Sequence, residues 1–140
     1  TPSLGQALDN TNFTWNSNGT AKWFGQYDTF FFDGDAAQSG KISNNQWTSL
    51  YTTMMGPGTL KFYWKVSSEY NKDYLSFYVD DTSNPVDRIS GVADWQQVSF
   101  YLLSGIHSCS LVYQKDASNY GGSDTAWVDK IEFITEFFLS

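Results

Sequence analysis

Tyrosine side chains lie beside basic residues along several strand-like segments of this 140-residue chain. Tyr63 stands between Lys61 and Lys65, and Tyr78 and Tyr101 alternate with apolar residues in two later segments. A tyrosine ring has an apolar body and a polar tip, so it can stack on the apolar face of a sugar ring while its hydroxyl meets the sugar hydroxyls. The pattern therefore predicts a surface that binds a polysaccharide chain, with these three tyrosines as the stacking platform.

Basic and aromatic residues elsewhere would complete this predicted surface. We expect Lys61, Lys65 and Arg88 to donate hydrogen bonds to the ligand, and Trp47 and Tyr51 to extend the edge of the platform. The alternative is that loops or a second sheet cover both faces of these strands, in which case the tyrosines are structural. The order of strands in the sheet decides between the two, and the sequence does not give that order.

Four aspartates form a second candidate site. Asp33 and Asp35 flank Gly34 in a predicted turn, Asp9 lies near the start of the chain, and Asp129 lies in the last predicted strand. Carboxylate oxygens from a turn and a distant strand suit Ca²⁺, which takes about six to eight oxygen ligands. We expect such an ion to have a structural role. The alternative is that these are ordinary turn aspartates that accept hydrogen bonds from backbone amides.

Catalytic residues do not form a recognisable set in this sequence. His107 is the single histidine, and it lies near the start of a predicted strand, on the face predicted to form the core. A nucleophilic triad needs a base and an orienting group beside the nucleophile, and a glycosidase needs two facing carboxylates. No spacing of residues favours either arrangement, so we predict that the protein is not an enzyme.

Composition narrows the classes of partner. The chain has 15 acidic and 8 basic residues, a net charge of −7 and a pI near 4.3, so duplex nucleic acid and anionic membranes are poor partners. Charged residues make up only 16% of the chain and aromatic residues 19%, a profile common among extracellular β proteins. We therefore expect a secreted or cell-surface location. Cys109 is the only cysteine, so no disulfide forms within the chain, and its alternation with apolar neighbours predicts a buried thiol.

Apolar and polar residues alternate along most of the chain, whereas helical periodicity is almost absent. Residues 56–58 (Gly-Pro-Gly) are predicted as a turn, and the polar loop 67–73 is expected to join its two flanking strands as a hairpin or as near neighbours. The predicted strands cover residues 48–55, 59–66, 74–80, 95–102, 106–115 and 125–133. Short strands joined by Gly, Asn and Asp loops predict an all-β fold, an antiparallel two-sheet β-sandwich of the jelly-roll type.

The chain shows no internal linker, so we expect residues 1–140 to form a single β-sandwich module. Because it starts abruptly at Thr1-Pro2, we expect the module to have been excised from a larger secreted protein.

Five phrases of the sequence together resemble a known kind of module. They are FDGDAAQSG at 32–40, GPGTLKFYWKVS at 56–67, DWQQV at 94–98, GIH at 105–107 and AWVDKI at 126–131. In order and spacing they resemble a jelly-roll accessory module of secreted bacterial and archaeal multidomain proteins, similar to MAM-type domains and to concanavalin-like carbohydrate-binding modules. The resemblance runs from about residue 8 to residue 133.

This resemblance implies a non-catalytic module that binds polysaccharide and targets a covalently linked protein or enzyme to it. It also implies a structural Ca²⁺ that holds the two ends of the domain together. The alternative function is that of a protein-interaction or spacer module in a cell-surface or secreted protease-type protein, where the same rings would be packed or would contact protein.

Overall fold

The computed structural model of the chain describes residues 1–117 and 122–136. In these ranges the chain forms one short helix, α1 (Leu4–Ala7), and eight strands. The strands are β1 (Asn16–Gly19), β2 (Phe24–Gln26), β3 (Ala36–Gln38), β4 (Trp47–Ser67), β5 (Tyr74–Val79), β6 (Asp87–Ser90), β7 (Val92–Gln114) and β8 (Thr125–Thr135). No helix within the described ranges is long and apolar enough to cross a membrane.

Two long strands, β4 and β7, form the frame of the fold. They have 21 and 23 residues and pair antiparallel along almost their whole length, with Gly56 opposite Gly105. The register shifts between Gly56 and Gly58, and a Cβ atom at position 56 would lie 2.0 Å from the carbonyl oxygen of Leu103. A bulge of this kind bends a strand pair. The turn predicted at residues 56–58 is therefore wrong, because the chain continues through a bend within β4.

The bend divides the sheet into two layers. The first layer contains β1, the first half of β4, the second half of β7, β5 and β6. The second layer contains the first half of β7, the second half of β4, β8, β3 and β2. Rings from the two layers meet in the core, where Phe62 lies 5.1 Å from Phe77 between ring centroids. The predicted all-β, antiparallel β-sandwich is thus confirmed.

The loop after β4 crosses from one layer to the other. It leaves Ser67 in the second layer and enters Tyr74 in the first, so β5 pairs with β7 and β6. The prediction that residues 59–66 and 74–80 are hairpin partners or near neighbours is wrong. The polar loop 67–73 fits a hairpin connection and a crossing between layers equally well, which is why the sequence pattern did not separate them.

A second irregularity lies in β8. Lys130 has a φ of 48°, and the register between β4 and β8 shifts between Lys61 and Tyr63. Asp129 therefore pairs with Tyr63 on the outer side of the sheet, whereas Ile131 contributes to the core. Strict alternation along the strand would place both residues on one face, because it does not allow for the extra residue of a bulge.

Candidate binding groove and acidic clusters

An open groove lies on the outer face of the first layer. Its cavity volume is about 360 Å³. Its floor comes from the outward positions of β1, β4, β5 and β7, because the alternate positions of the same strands, such as Leu50, Phe77 and Leu111, fill the core. The lining residues are Asn18, Trp47, Ser49, Tyr51, Tyr78, Thr82, Ser110, Val112 and Gln114.

Strand register places two pairs of aromatic residues across this floor. Tyr51 and Tyr78 both lie opposite Ser110, on either side of β7. Trp47 and Tyr74 flank Gln114 in the same way. Neighbouring strands lie about 4.8 Å apart and a strand rises about 3.3 Å per residue, so the floor between the pairs measures about 10 Å by about 13 Å. This area accommodates a short stretch of an extended chain.

Polar side chains occupy the strip of floor between the rings. On β7, between the rings, Ser110 is half-buried and Gln114 is exposed, and Val112 lies between them. Asn18 is exposed on β1, beyond β4, and none of the described lining residues is acidic or basic. At the edge, the guanidinium of Arg88 lies 4.1 Å from the centroid of the Tyr74 ring. This is a cation–π contact that holds both side chains in place. The groove therefore offers hydroxyl and amide groups between ring faces, within a protein whose overall charge is −7.

The aromatic residues of the groove are held by the sheet. Trp47 is 44% exposed, whereas Tyr51 and Tyr78 are half-buried. Their strands carry buried residues on the other face, so the sheet fixes the backbone from which each ring extends. A backbone that is fixed before binding lowers the entropy that is lost when a ligand binds.

Four of the eight predicted binding residues lie on the opposite layer. Tyr63, Tyr101, Lys61 and Lys65 belong to the second half of β4 and the first half of β7. The single platform of Tyr63, Tyr78 and Tyr101 is therefore wrong, because the chain crosses between layers after β4. Trp47, Tyr51, Tyr78 and Arg88 do lie together on the first layer.

The outer face of the second layer is partly covered. The ring of Phe31 stacks on Tyr63 with 3.8 Å between centroids and 15° between planes. Lys65 pairs with Asp94 at 3.3 Å. Tyr101 is 42% exposed, and a hydrogen bond to the Glu136 carboxylate raises the pKa of its hydroxyl.

Several residues of the groove were not singled out in the sequence. Asn18, Ser49, Thr82, Ser110, Val112 and Gln114 lie in the groove and are absent from the predicted set. The alternation in residues 106–115 did contain a signal for three of them. Once Cys109, Leu111 and Tyr113 are assigned to the core, the residues between them must face outward.

Three of the four predicted metal ligands come together. Asp9 follows α1, Asp35 precedes β3 and Asp129 lies in β8, and each offers a carboxylate oxygen within 4.8 Å of the others. Asp33 is not part of this group. It has a φ of 60° and, with Gly34 at 81°, forms the tight turn that brings Phe32 opposite Asp35.

The electrostatics of this acidic cluster favour a bound cation. The buried oxygens Oδ2 of Asp9 and Oδ1 of Asp35 have no hydrogen-bond partner among the described residues. Asp129 is fully buried, and its Oδ2 accepts hydrogen bonds of 2.8 Å from the backbone N–H groups of Phe31 and Phe32. Burial, followed by a hydrogen bond and repulsion from Asp129, raises the pKa of Asp9 to about 7. Unpaired carboxylate oxygens at this spacing fit a hard divalent ion such as Ca²⁺.

His107 serves the fold. Its Nδ1 lies 2.7 Å from Oδ2 of Asp80 and its Nε2 lies 2.7 Å from the carbonyl oxygen of Leu103. Both neighbours are acceptors, so the ring satisfies both only when each nitrogen carries a proton. This geometry, with the hydrogen bond to Asp80 as the main cause, raises the pKa of His107. A ring held in this way is not placed to act as a base.

No family model and no curated protein matches the sequence. Solved structures do resemble the fold. TmCBM61, in complex with β-1,4-galactotriose, has a TM-score of 0.63 and 12% identity over 96% of this chain and 95% of its own. The secreted serine protease VesC from Vibrio cholerae has a TM-score of 0.65 and 15% identity, and the chain spans 28% of that protein.

A third similar structure is an adhesin domain of Lys-gingipain from Porphyromonas gingivalis, with a TM-score of 0.64, 14% identity and 87% of this chain covered. At this level of identity the three likenesses show a shared β-sandwich fold, which carbohydrate-binding modules also use.

Proposed function

We propose that this chain is a non-catalytic carbohydrate-binding module whose ligand lies in the groove of the first layer. The observation that carries the proposal is the arrangement of two aromatic pairs on either side of β7, which presents Ser110, Val112 and Gln114 between them on an open sheet face. The resemblance of the fold to TmCBM61 supports it.

The groove chemistry suits a neutral glycan chain. Tyr51, Tyr78 and Trp47 offer faces to the apolar side of successive sugar rings. Ser110 and Gln114 lie between them, within reach of the sugar hydroxyls. None of the described lining residues is charged, and Arg88 lies beside the groove against Tyr74, so recognition would depend on stacking and neutral hydrogen bonds.

Such a module would act by raising the local concentration of whatever is linked to it at a polysaccharide surface. This role fits an extracellular protein. It is also compatible with the likeness to VesC, a secreted protease in which the matching part makes up 28% of the chain. The alternative is a protein-interaction or spacer module, in which the same aromatic pairs would contact protein. The binding experiment below separates the two.

We also propose that Asp9, Asp35 and Asp129 hold a structural Ca²⁺. Their oxygens come from the end of α1, the turn before β3 and the last strand, so an ion there would connect the N-terminal segment to β8. Asn10 already makes one such link, since its side-chain amide donates to the carbonyl oxygen of Ile131 at 3.1 Å. The ion would add to this connection and would neutralise the acidic cluster.

Affinity electrophoresis and titration calorimetry on soluble glucans, xylans, mannans and galactans test the glycan proposal. We expect one of these polymers to retard the wild type. Trp47→Ala and Tyr78→Ala should each weaken binding by about 2 kcal/mol, or about 30-fold, as for other aromatic residues at the centre of a binding surface.

Tyr101→Ala is the matched control, because it removes a ring of similar exposure from the other layer. Its affinity should equal that of the wild type. If Tyr101→Ala lost binding and Trp47→Ala kept it, the ligand would bind the second layer, which would contradict our proposal. A folded wild type that no glycan retards would favour the protein-interaction alternative.

A further inference from the structure

A second group of carboxylates lies at the end of the sandwich nearest the Trp47–Tyr74 pair. Glu69 and Asp73 belong to the loop between β4 and β5, and Asp116 follows the end of β7. Each offers an oxygen within 4.8 Å of the other two. The backbone holds this arrangement, since the N–H of Asp73 donates to the carbonyl oxygen of Glu69 at 3.1 Å.

The central carboxylate of this group is fully buried and only half satisfied. Asp73 has no exposed surface, and its Oδ1 accepts a hydrogen bond of 3.0 Å from the backbone N–H of Asp116. Its Oδ2 is buried and has no hydrogen-bond partner within residues 1–117 and 122–136, and the same holds for Oε1 of Glu69. A buried carboxylate oxygen without a partner costs considerable free energy, so these two atoms require a positive charge or a donor.

The protein supplies one buried cation here, and it is already engaged. The ammonium of Lys115 lies 3.1 Å from Oδ2 of Asp124, with 1% of its side chain exposed. Within residues 1–117 and 122–136, Lys115 is the one buried basic residue beside Glu69, Asp73, Asp116 and Asp124. Four carboxylates against one ammonium leave an excess of negative charge at this end of the domain.

The pKa shifts of Glu69 and Asp73 agree with an excess of negative charge around this loop. Desolvation, followed by the charges of Asp116 and Asp73, raises the pKa of Glu69. Lys72 lowers it, but that side chain is exposed, so solvent screens its charge. Desolvation also raises the pKa of Asp73, against smaller opposing effects from the N–H of Asp116 and from Lys115.

We propose that Glu69, Asp73 and Asp116 form a second divalent-cation site, separate from the Asp9, Asp35 and Asp129 cluster. The donors are all carboxylate oxygens, with no histidine or thiolate among them, which favours Ca²⁺ over zinc or copper. The ion would lie beside Oδ2 of Asp73 and would connect the loop that crosses between the layers to the end of β7.

This position gives the ion a structural consequence. Asp73 directly precedes Tyr74, and Asp116 comes two residues after Gln114, which lies between Tyr74 and Trp47 in the sheet. The ion would therefore fix the start of β5 and the end of β7 beside the Trp47–Tyr74 pair. Residues 68–73 would then be ordered at the point where the chain passes from one layer to the other.

Titration calorimetry with CaCl₂ on chelator-treated full-length protein, supported by native mass spectrometry, tests the proposal. Glu69→Gln should bind one equivalent of Ca²⁺ fewer than the wild type. Asp9→Asn should lose a different equivalent, and the double variant should lose both. Asp28→Asn, which removes an exposed carboxylate outside both clusters, should bind as many ions as the wild type.

Glu69 is half-buried, so its replacement by an isosteric amide should leave the domain folded. Asp73→Asn gives a second measurement where it also folds, and it should lose the same equivalent as Glu69→Gln. The proposal is overturned if Glu69→Gln binds as many ions as the wild type. The proposal can also be tested if the Asp9, Asp35 and Asp129 cluster binds no ion. The wild type should then bind one Ca²⁺ and Glu69→Gln none. The proposal does not depend on glycan binding, which none of these titrations measures.

Discussion

Replacing Asp9 by Asn should change stability in opposite directions with and without Ca²⁺. In the ion-free protein the pKa of Asp9 rises from its ordinary value of 3.8 to about 7, because burial and Asp129 disfavour the charged form. A group whose pKa is higher in the folded state stabilises the fold fully below its unfolded pKa. That stabilisation is lost as the pH rises through the folded pKa. The ion-free wild type should therefore lose stability between about pH 4 and pH 7.

The size of this effect follows from the two pKa values. Each pH unit between them corresponds to about 1.4 kcal/mol, which sets an upper limit of about 4 kcal/mol. Asp9 is only partly buried, and solvent screening reduces the figure to roughly 2 kcal/mol. For a domain of 140 residues this corresponds to a fall of about 6 °C in melting temperature. The raised pKa values of Asp35 and Asp129 act in the same direction.

Asparagine removes the charge at position 9 and can adopt the backbone conformation found there. Asp9 has a φ of 60°, in the left-handed region that Asn and Asp enter more readily than most residues. With chelator at pH 7.5, Asp9→Asn should melt about 6 °C above the wild type. Its melting temperature should fall less than that of the wild type between pH 5 and pH 7.5, and Asp35, Asp129 and His107 account for the fall that remains. With saturating Ca²⁺ the order should reverse, because the variant has lost a ligand of the ion.

Thermal unfolding followed by circular dichroism at pH 5 and pH 7.5, with EDTA or with CaCl₂, gives the four measurements for each protein. Asp28→Asn serves as the control for loss of one negative charge and should follow the wild type. The reasoning is refuted if Asp9→Asn melts below the wild type in EDTA at pH 7.5, or if added Ca²⁺ leaves the order of the two proteins unchanged.

Three further predictions test the groove, the bend and the histidine contact. Val112→Trp should abolish glycan retention in affinity electrophoresis while leaving the melting temperature nearly unchanged, because the indole would occupy the groove floor; retained binding would contradict the site. Gly56→Ala should lower the free energy of unfolding in urea by about 3 kcal/mol or prevent folding, because its Cβ would lie 2.0 Å from the carbonyl oxygen of Leu103; unchanged stability would show that the bend relaxes freely. In the Ca²⁺-loaded protein, the raised pKa of His107 beside Asp80 means that its stabilising contribution is present below about pH 6.5 and is lost as the pH rises further. The urea midpoint of His107→Gln should therefore depend less on pH between pH 6 and pH 8 than that of the wild type. An equal pH dependence in the variant would show that another group causes it.

The sequence predicted the fold class, but it did not predict which layer each strand joins. Alternation along residues 59–66 and 74–80 correctly separates core positions such as Phe62 and Phe77 from outward positions such as Tyr63 and Tyr78. Alternation states which side of its own strand a residue occupies. It does not state which sheet that strand joins, because partners distant in sequence determine the pairing. The two tyrosines therefore shared a pattern while lying on opposite faces of the sandwich.

The acidic cluster was easier to predict because the residue type indicates its chemistry: carboxylate oxygens are the ligands that Ca²⁺ takes. A turn with two carboxylates and a carboxylate in the final strand suggested Asp35 and Asp129 as neighbours, and the structure brings both together with Asp9. The exception is Asp33, which adopts the left-handed conformation needed to close the turn. The sequence offered two aspartates on either side of Gly34, and backbone geometry determined which of them reaches the cluster.

The acidic cluster also explains why the groove lies on the first layer. Asp129 accepts hydrogen bonds from two backbone amides of the loop between β2 and β3, and that loop places Phe31 flat against Tyr63. Phe31 therefore covers the Tyr63 ring on the outer face of the second layer, where that ring would otherwise be open to a ligand. Among the described residues, no aromatic ring stacks on Trp47, Tyr51 or Tyr78 in the groove of the first layer, and Arg88 lies over Tyr74 at its edge. The carboxylates that order one face therefore leave the other as the face available for binding.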